Sequence, residues 1–309
     1  MISVVIPAYN EEQNIPILYQ KLTQVLEGKD YEIIFVDDGS EDGTFNVLEK
    51  IANKDKRVKV IRFKRNYGQT SAMYAGFQHA KGDVIITMDA DLQNDPEDIP
   101  ALLKKLEEGY DLVSGWRKDR KDPFLSRRLP SMIANWIISK ATGVHLHDYG
   151  CTLKAYRAEL LKELELYGDM HRFLPALTKR QGAKITEIVV RHHPRLYGKY
   201  KYGIGRTIRV ILDILLVKFL NEYINKPMYV FGTAGFVLFS MGMLALFYLI
   251  FLKILGEDIG RRPLLILSVL LILAGIQLIS TGILAEMMVR IYYRIKEEKP
   301  YIIEKTVNL

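Results

Sequence analysis

The chain has 309 residues and a single cysteine, Cys151, and its 43 Lys and Arg residues outnumber 36 Asp and Glu, for a net charge of +7 and a pI near 9.2. One thiol excludes an intramolecular disulfide and any cysteine-based metal cluster. The basic balance points to an anionic partner such as nucleic acid, phosphate or a membrane surface, and does not choose among them.

A strand is expected over 2–6, where ISVVI is apolar and Pro7 stops it, and the loop AYNEE follows over 8–12. Nothing basic or apolar precedes this strand as a leader, so the reading keeps the N-terminal part in the cytoplasm. Asn14-Ile15-Pro16 opens a helix predicted to run to about residue 27. A second strand over 32–36 ends in Asp37-Asp38-Gly39-Ser40. A helix over 42–52, a strand over 58–63, a helix over 68–79 and a strand over 84–88 follow. Four strands alternating with helices predict an open, mostly parallel α/β sheet with helices on both faces. Such sheets bind ligands at the carboxyl ends of their strands. The acidic clusters at Glu11-Glu12, Asp37-Asp38 and Asp89/Asp91 all fall there. There is no G-x-G-x-x-G and no P-loop, so neither usual nucleotide fingerprint applies.

Asp89-Ala90-Asp91, with Gln93 two residues on, follows the fourth strand directly. Two carboxylates at the end of a core strand are costly without a counter-charge. A divalent cation with oxygen ligands, Mg²⁺ or Mn²⁺, is a natural partner. Taken alone, the motif reads first as a solvated turn before the helix start at Asp95-Pro96-Glu97-Asp98, and the convergence of acidic clusters at the strand ends reverses that.

Beyond it lie a strand over 112–116, a basic run from Arg117 to Lys121, the pair Arg127-Arg128, and an amphipathic helix over 132–140 carrying Trp136. Guanidinium forks suit phosphate, which makes arginines of this stretch candidates for an anionic group. His145 and His147 stand two apart with no second cluster to complete a metal site, so zinc is not expected. A further strand is expected over 185–191, before a loop rich in Gly, Lys and Tyr that contains Arg195 and Lys201.

The C-terminal third changes character. Residues 207–223 read as an amphipathic helix lying in a membrane interface. Residues 228–252 and 264–285 carry no charge, and each run is long enough to cross the hydrocarbon, the second helix continuing to about 289. Glu286 would lie near the headgroups, and Tyr292, Tyr293, Arg290, Arg294 and Lys296 beyond the second span place both termini in the cytoplasm, beside an inner (plasma) membrane. Glycines 232, 235, 275 and 282 permit close helix packing, which points to a homo-oligomer. Three segments result: a head over 1–205, an interfacial helix over 206–226, and a two-span anchor with a cytoplasmic tail over 227–309.

The motifs VIPAYNE (5–11), VDDGSxDGT (36–44) and DADLQ (89–93), in this order and spacing, resemble glycosyltransferase family 2 with its GT-A fold. DADLQ followed by Asp95-Pro96-Glu97 resembles the polyprenyl-phosphate branch, which holds the dolichol-phosphate mannose synthases and the bactoprenol glucosyltransferases. The resemblance covers about residues 1–205, and the two spans fit the bactoprenol members. It implies that Pro7, Tyr9, Glu11, Asp38, Gly68 and Gln69 line the nucleotide-sugar pocket. It implies that Asp89, Asp91 and Gln93 hold Mg²⁺ or Mn²⁺ against the diphosphate, with Asp89 also facing the ribose. Arg117, Arg128, Arg195 and Lys201 would bind the acceptor phosphate, and Asp89, Asp91, Arg117 and Arg128 would form the catalytic set. Tyr200 stands where the family's lid loop commonly has Ser, which removes any hydroxyl contact made there. Asp148 sits where a general base could be, but a phosphate nucleophile is already ionised and needs none. The implied reaction is inverting transfer of a hexose, with UDP-glucose the favoured donor, to a polyprenyl phosphate. GDP-mannose as donor, a processive polysaccharide synthase and a non-catalytic nucleotide-binding scaffold are the alternatives. The synthase lacks its QxxRW motif here, and a nucleic-acid partner is not expected.

Overall fold

The computed structural model describes residues 1–118, 142–164, 170–194, 227–260, 262–292 and 300–309, with isolated residues at 132, 135, 138–140 and 166. Arg128, Trp136, Arg195, Lys201 and the 206–226 segment lie outside the described residues, as do the side chains of Glu286 and Arg290.

Eight strands form one sheet in the order β7-β5-β6-β4-β1-β2-β3-β8. They are β1 (Ile2–Ala8), β2 (Tyr31–Asp37), β3 (Val58–Phe63), β4 (Val84–Thr87), β5 (Leu112–Trp116), β6 (Lys154–Arg157), β7 (Ile185–Val189) and β8 (Ile303–Val307). The β4-β1-β2-β3 centre and the β5-β7 pair are parallel. Strands β6 and β8 pair antiparallel, so the sheet is mixed. Four helices fill the crossovers and connections of the head: α1 (Ile15–Val25), α2 (Thr44–Lys54), α3 (Gln69–His79) and α4 (Ile99–Glu107). Short helices α5 (Glu159–Lys162) and α6 (Leu174–Lys179) follow β6.

Strand alternation sends successive side chains to opposite faces. Val4, Ile6, Ile33, Phe35, Val58 and Val60 pack with Leu18 and Leu22 of α1, Leu48 of α2 and Leu102 of α4. The other face meets α3, and Gly76 there makes the approach possible: a Cβ would lie 2.2 Å from Val5 Cγ1. The core is therefore two-sided, and the parallel strands in it carry near-continuous apolar runs, as burial on both faces requires.

The chain divides into two units. The first holds the sheet and its helices together with the described C-terminal residues 300–309. The second contains two long helices, α7 (Pro227–Ile254) and α8 (Pro263–Tyr292). In each, the 231–254 and 263–285 stretches are long and apolar enough to cross a membrane, with mean hydropathy 2.3 and 2.5. Phe236, Leu244, Phe247 and Ile266 point outward. The two helices pack against each other through glycines: a Cβ on Gly235 would lie 2.7 Å from the Gly275 carbonyl, and one on Gly242 would lie 2.8 Å from Ile272. Gly235 and Gly275, read from the sequence as a self-association surface, are thus used inside the chain.

The sequence reading placed the tail beyond the anchor. Its last strand instead returns to the sheet, with Val307 opposite Val60 and Thr306 opposite Ile61. β3 would otherwise be an open edge, and an edge strand presents unpaired N–H and C=O groups that the tail satisfies.

Candidate active site

The parallel strands β1, β2 and β4 end on one rim, where Ala8 pairs with Asp37 and the Asp38 N–H donates to the Ala8 carbonyl at 2.9 Å. The loops after these strands lock to one another. The Glu11 N–H donates to Thr44 Oγ1 at 2.8 Å, and Glu11 Oε2 accepts from Asn14 Nδ2 at 2.6 Å. Asn10, in the left-handed region at φ 56°, accepts from the Glu41 N–H through Oδ1 at 2.9 Å. Pro7 and Tyr9 sit half-buried on this rim.

Asp38 is buried, and its carboxylate accepts from the Tyr67 N–H at 2.7 Å and the Gly68 N–H at 2.9 Å. The sequence reading gave Asp38 to the nucleotide; here it also fixes the entry to α3. Gly39 beside it has φ 68°, and a Cβ would lie 2.3 Å from the backbone of Arg65, so only glycine lets the two loops close.

From the first residue of α3, Gln69 Nε2 donates to Asp89 Oδ1 at 2.7 Å. Thr152 Oγ1 donates to Asp89 Oδ2 at 2.7 Å and accepts from Asn94 Nδ2 at 2.9 Å. Both oxygens of Asp89 are thereby oriented. Asp91 Oδ1 accepts from the Gln93 N–H at 3.1 Å, across a turn in which Leu92 takes φ 62°. Burial, and then the like charge of Asp91, push the Asp89 carboxyl up to about 6, against the opposing pull of Thr152, Arg117 and Lys154. The chain after β7 braces this turn: the His193 N–H donates to the Gln93 carbonyl at 2.9 Å, and Arg191 pairs with Glu97 and Asp98 at 2.7 and 2.9 Å.

Among the described residues no group of three or more His, Cys, Asp or Glu converges on a metal position. Asp89 and Asp91 form a two-carboxylate set instead. That suits a hard cation that completes its shell with water and phosphate oxygens, and the burial and like charge that raise the Asp89 carboxyl are the cost such a cation relieves.

Arg117 is mostly buried and bound in a two-point fork, Nε to Asp148 Oδ2 at 2.7 Å and Nη2 to Asp148 Oδ1 at 3.0 Å. Burial alone would lower the Arg117 pKa, but Asp148 outweighs it and the pKa is raised. Asp148, considered from the sequence as a base, is the partner of this arginine. Lys154, on β6 beneath the site, is buried with its Nζ donating to the Tyr149 carbonyl at 3.2 Å and to the Cys151 carbonyl, and burial lowers its pKa. His171 Nδ1 bonds Thr70 Oγ1 at 2.7 Å, tying the segment after α5 to α3. Thr152, Asn94, Lys154 and the role of Asp148 escaped the sequence reading, because β6 joins the sheet beside β4 only through long-range pairing. His147 stacks on Trp116 at 4.1 Å and pairs with Glu187, which accounts for it without a metal.

A family model, "Glycosyl transferase family 2", matches residues 3–165. The chain belongs to this family. The dodecaprenyl-phosphate galacturonate synthase of Rhizobium johnstonii is 46% identical over 98% of this chain and 92% of its own length. An undecaprenyl-phosphate 4-deoxy-4-formamido-L-arabinose transferase of Shewanella sediminis is 38% identical over 98% of this chain and 91% of its own. These relatives run through both units, whereas the family model stops within the head. Among solved structures, the glucosyl-3-phosphoglycerate synthase of Mycobacterium tuberculosis, in complex with Mn²⁺, UDP and glucosyl-3-phosphoglycerate, matches with TM-score 0.56 at 22% identity. It covers 71% of this chain and 79% of that one. The likeness places the family 2 head in the GT-A fold.

Proposed function

We propose that this family 2 enzyme transfers a sugar from a nucleoside diphosphate to a polyprenyl monophosphate at a membrane. The similarity to the Rhizobium galacturonate synthase, spread over nearly the whole of both chains, carries the reading. The donor is a nucleotide-linked galacturonate or a comparably modified sugar; the relatives' names support this over the glucose favoured from motifs alone.

The loops at Pro7, Tyr9, Glu11 and Asp38 and the first turn of α3 at Gly68 and Gln69 receive the nucleotide. Asp89 and Asp91, with Gln93, hold Mg²⁺ or Mn²⁺, which when bound offsets the charge on the departing diphosphate. Gln69 and Thr152 keep Asp89 aimed. An oxygen of the lipid phosphate attacks the anomeric carbon from the face opposite the diphosphate, and the configuration inverts. Arg117, held by Asp148, directs its remaining N–H groups to the acceptor phosphate. Arg128, Arg195 and Lys201 complete that set, and the chain enters 195–201 from the brace His193 makes on Gln93. The two apolar helices span the membrane with both termini in the cytoplasm. Return of the tail to the head's sheet supports an even number of crossings.

The test uses full-length protein in detergent with a polyprenyl phosphate, Mn²⁺ or Mg²⁺, and radiolabelled UDP-galacturonate, UDP-glucose and GDP-mannose. Label entering the organic phase from UDP-galacturonate, and lost with Asp91→Ala or a chelator, is the expected result. Label from UDP-glucose alone would restore glucose. Label in a water-soluble polymer would favour the processive synthase, and nucleotide binding without transfer the scaffold.

A further inference from the structure

The C-terminal strand touches the element that builds the donor side of the site. Tyr301 is 5% exposed, and its ring stacks on Phe63 at 4.9 Å with an interplanar angle of 17°. Its other neighbour is Tyr74 of α3, edge-on at 6.1 Å. Phe63 in turn meets Tyr67 edge-on at 5.7 Å. The Lys64 N–H donates to the Ile302 carbonyl at 3.1 Å. Residues 64–68 are therefore bracketed by Tyr301, which holds Phe63 before them and Tyr74 after them, gripped from the tail side by Ile302, and held from the site side by Asp38 on the Tyr67 and Gly68 amides. The next residue, Gln69, donates to Asp89. Among the described residues, the Tyr301 hydroxyl is buried without a hydrogen-bond partner. A buried hydroxyl left unpaired costs stability, so the ring is kept here for its face.

We propose that Tyr301 is a positioning residue of the donor site: its ring fixes the loop before α3, and through it the Asp38 clamp and the Gln69 contact to Asp89. The last ten residues, which lie beyond both long helices in sequence, then belong to the nucleotide site as a third support. This rests on the reading of the strand rim as the nucleotide-sugar site. If the wild-type chain binds no UDP in the presence of Mn²⁺, that reading fails first.

The experiment compares Tyr301→Leu, Tyr301→Phe, Tyr74→Leu and Asn308→Ala in the full chain in detergent. UDP affinity with Mn²⁺ is read by calorimetry, and KM for the labelled donor by transfer. Asn308→Ala loosens the far end of the same strand, where Asn308 Nδ2 donates to the Ala52 and Val58 carbonyls at 2.5 and 3.0 Å. Tyr301→Leu is expected to weaken UDP and raise donor KM about fivefold, the scale on which one aromatic pair acts, with kcat at saturating donor within about twofold. Tyr74→Leu, approaching the same contact from α3, should act in the same direction. Tyr301→Phe should match wild type, and Asn308→Ala should lower the melting temperature and leave donor KM unchanged. Wild-type KM in Tyr301→Leu and Tyr74→Leu, an equal rise in Asn308→Ala, or loss of affinity in Tyr301→Phe would each overturn the proposal while leaving the nucleotide site itself standing.

Discussion

Replacing Asp148 by Asn tests whether this carboxylate is a partner or a base. The Asp148 side chain is 4% exposed and that of Arg117 14%, and the fork between them is made at 2.7 and 3.0 Å. The Gly150 N–H also donates to Asp148 Oδ1, at 3.1 Å. Removing one member of such a pair strands a charge where water cannot reach it, at a cost of about 3–5 kcal/mol. Asparagine keeps one accepting oxygen, so the lower end, about 3 kcal/mol, is the expected loss. At roughly 2–4 °C per kcal/mol for a chain of this order of size, the apparent melting temperature should fall by about 6–12 °C. Activity measured well below that temperature should also fall, because Arg117 loses its aim. Arg117→Met with Asp148→Leu should recover much of the stability, since apolar replacement of a buried pair is often neutral, and should stay inactive. The assay is thermal unfolding of the full chain in detergent beside transfer at fixed temperature. A melting temperature within a degree or two of wild type, with transfer abolished and its pH profile flattened, would refute the argument and return Asp148 to the role of base.

Three further outcomes follow from the site. The Asp89 carboxyl is raised in the folded chain, so the folded state holds its proton to higher pH than the unfolded chain. Its contribution therefore turns unfavourable as pH climbs from about 4 to 6 and stays so above. In metal-free buffer at pH 7.5, Asp89→Asn should melt higher than wild type, while losing transfer; an unchanged or lower melting temperature would contradict this. Gln69→Ala and Thr152→Val each remove one hydrogen bond to an ionised Asp89. Each should cost about 1.5–3 kcal/mol in transition-state stabilisation, roughly 10- to 150-fold in kcat/KM for the donor, measured by initial rates. Gly76→Ala drives a methyl into Val5, and by overpacking should destabilise the head by about 1–3 kcal/mol with KM unchanged at low temperature, readable in denaturant titration.

The first four strands were legible because burial on both faces makes them apolar runs with punctuation at each end. Gly39 and the Gly82-Asp83 turn mark their limits, whereas Pro7, expected to stop the first strand, lies inside it, since β1 runs on to Ala8. The start of α4 was legible from its cap: Asp95 Oδ1 accepts from the Glu97 N–H at 3.0 Å, ahead of a short 3-10 turn and the helix. Strand β6 was not legible. KAYR is four residues long with charge at both ends, and its Lys154 is buried only because backbone carbonyls of 149 and 151 receive it. Strand β8 was hidden for another reason. IEKTV is a solvated edge strand whose charges are paired to the head, Lys305 to Glu49 at 2.6 Å and Glu304 to Arg62 at 3.3 Å, and nothing local says which edge it will cover. The site shows the same division. Asp89 and Asp91 announce themselves by type and spacing, whereas Thr152 and Asn94 acquire meaning only when β6 lands beside β4.

On the proposed reading, the charge balance of the site gives the basic residues of the acceptor set their task. Among the described residues, Arg117 and Lys154 pull on the charge of Asp89, and Arg117 is largely neutralised by Asp148. A divalent ion can offset the Asp89–Asp91 pair or the donor's diphosphate, not both in full. A second anion, the lipid phosphate, then approaches a centre with no spare positive charge among the described residues nearest Asp89. Two like charges a few ångströms apart in a partly dry site repel by about 4 kcal/mol at an effective dielectric near 20. On the proposed reading, Arg128, Arg195 and Lys201 are the cations that lower this barrier. On that argument, charge removal at these three positions should raise the polyprenyl-phosphate KM at low salt and flatten its rise with increasing salt, while leaving UDP affinity intact. Equal losses for donor and acceptor would show that the cations serve the diphosphate instead.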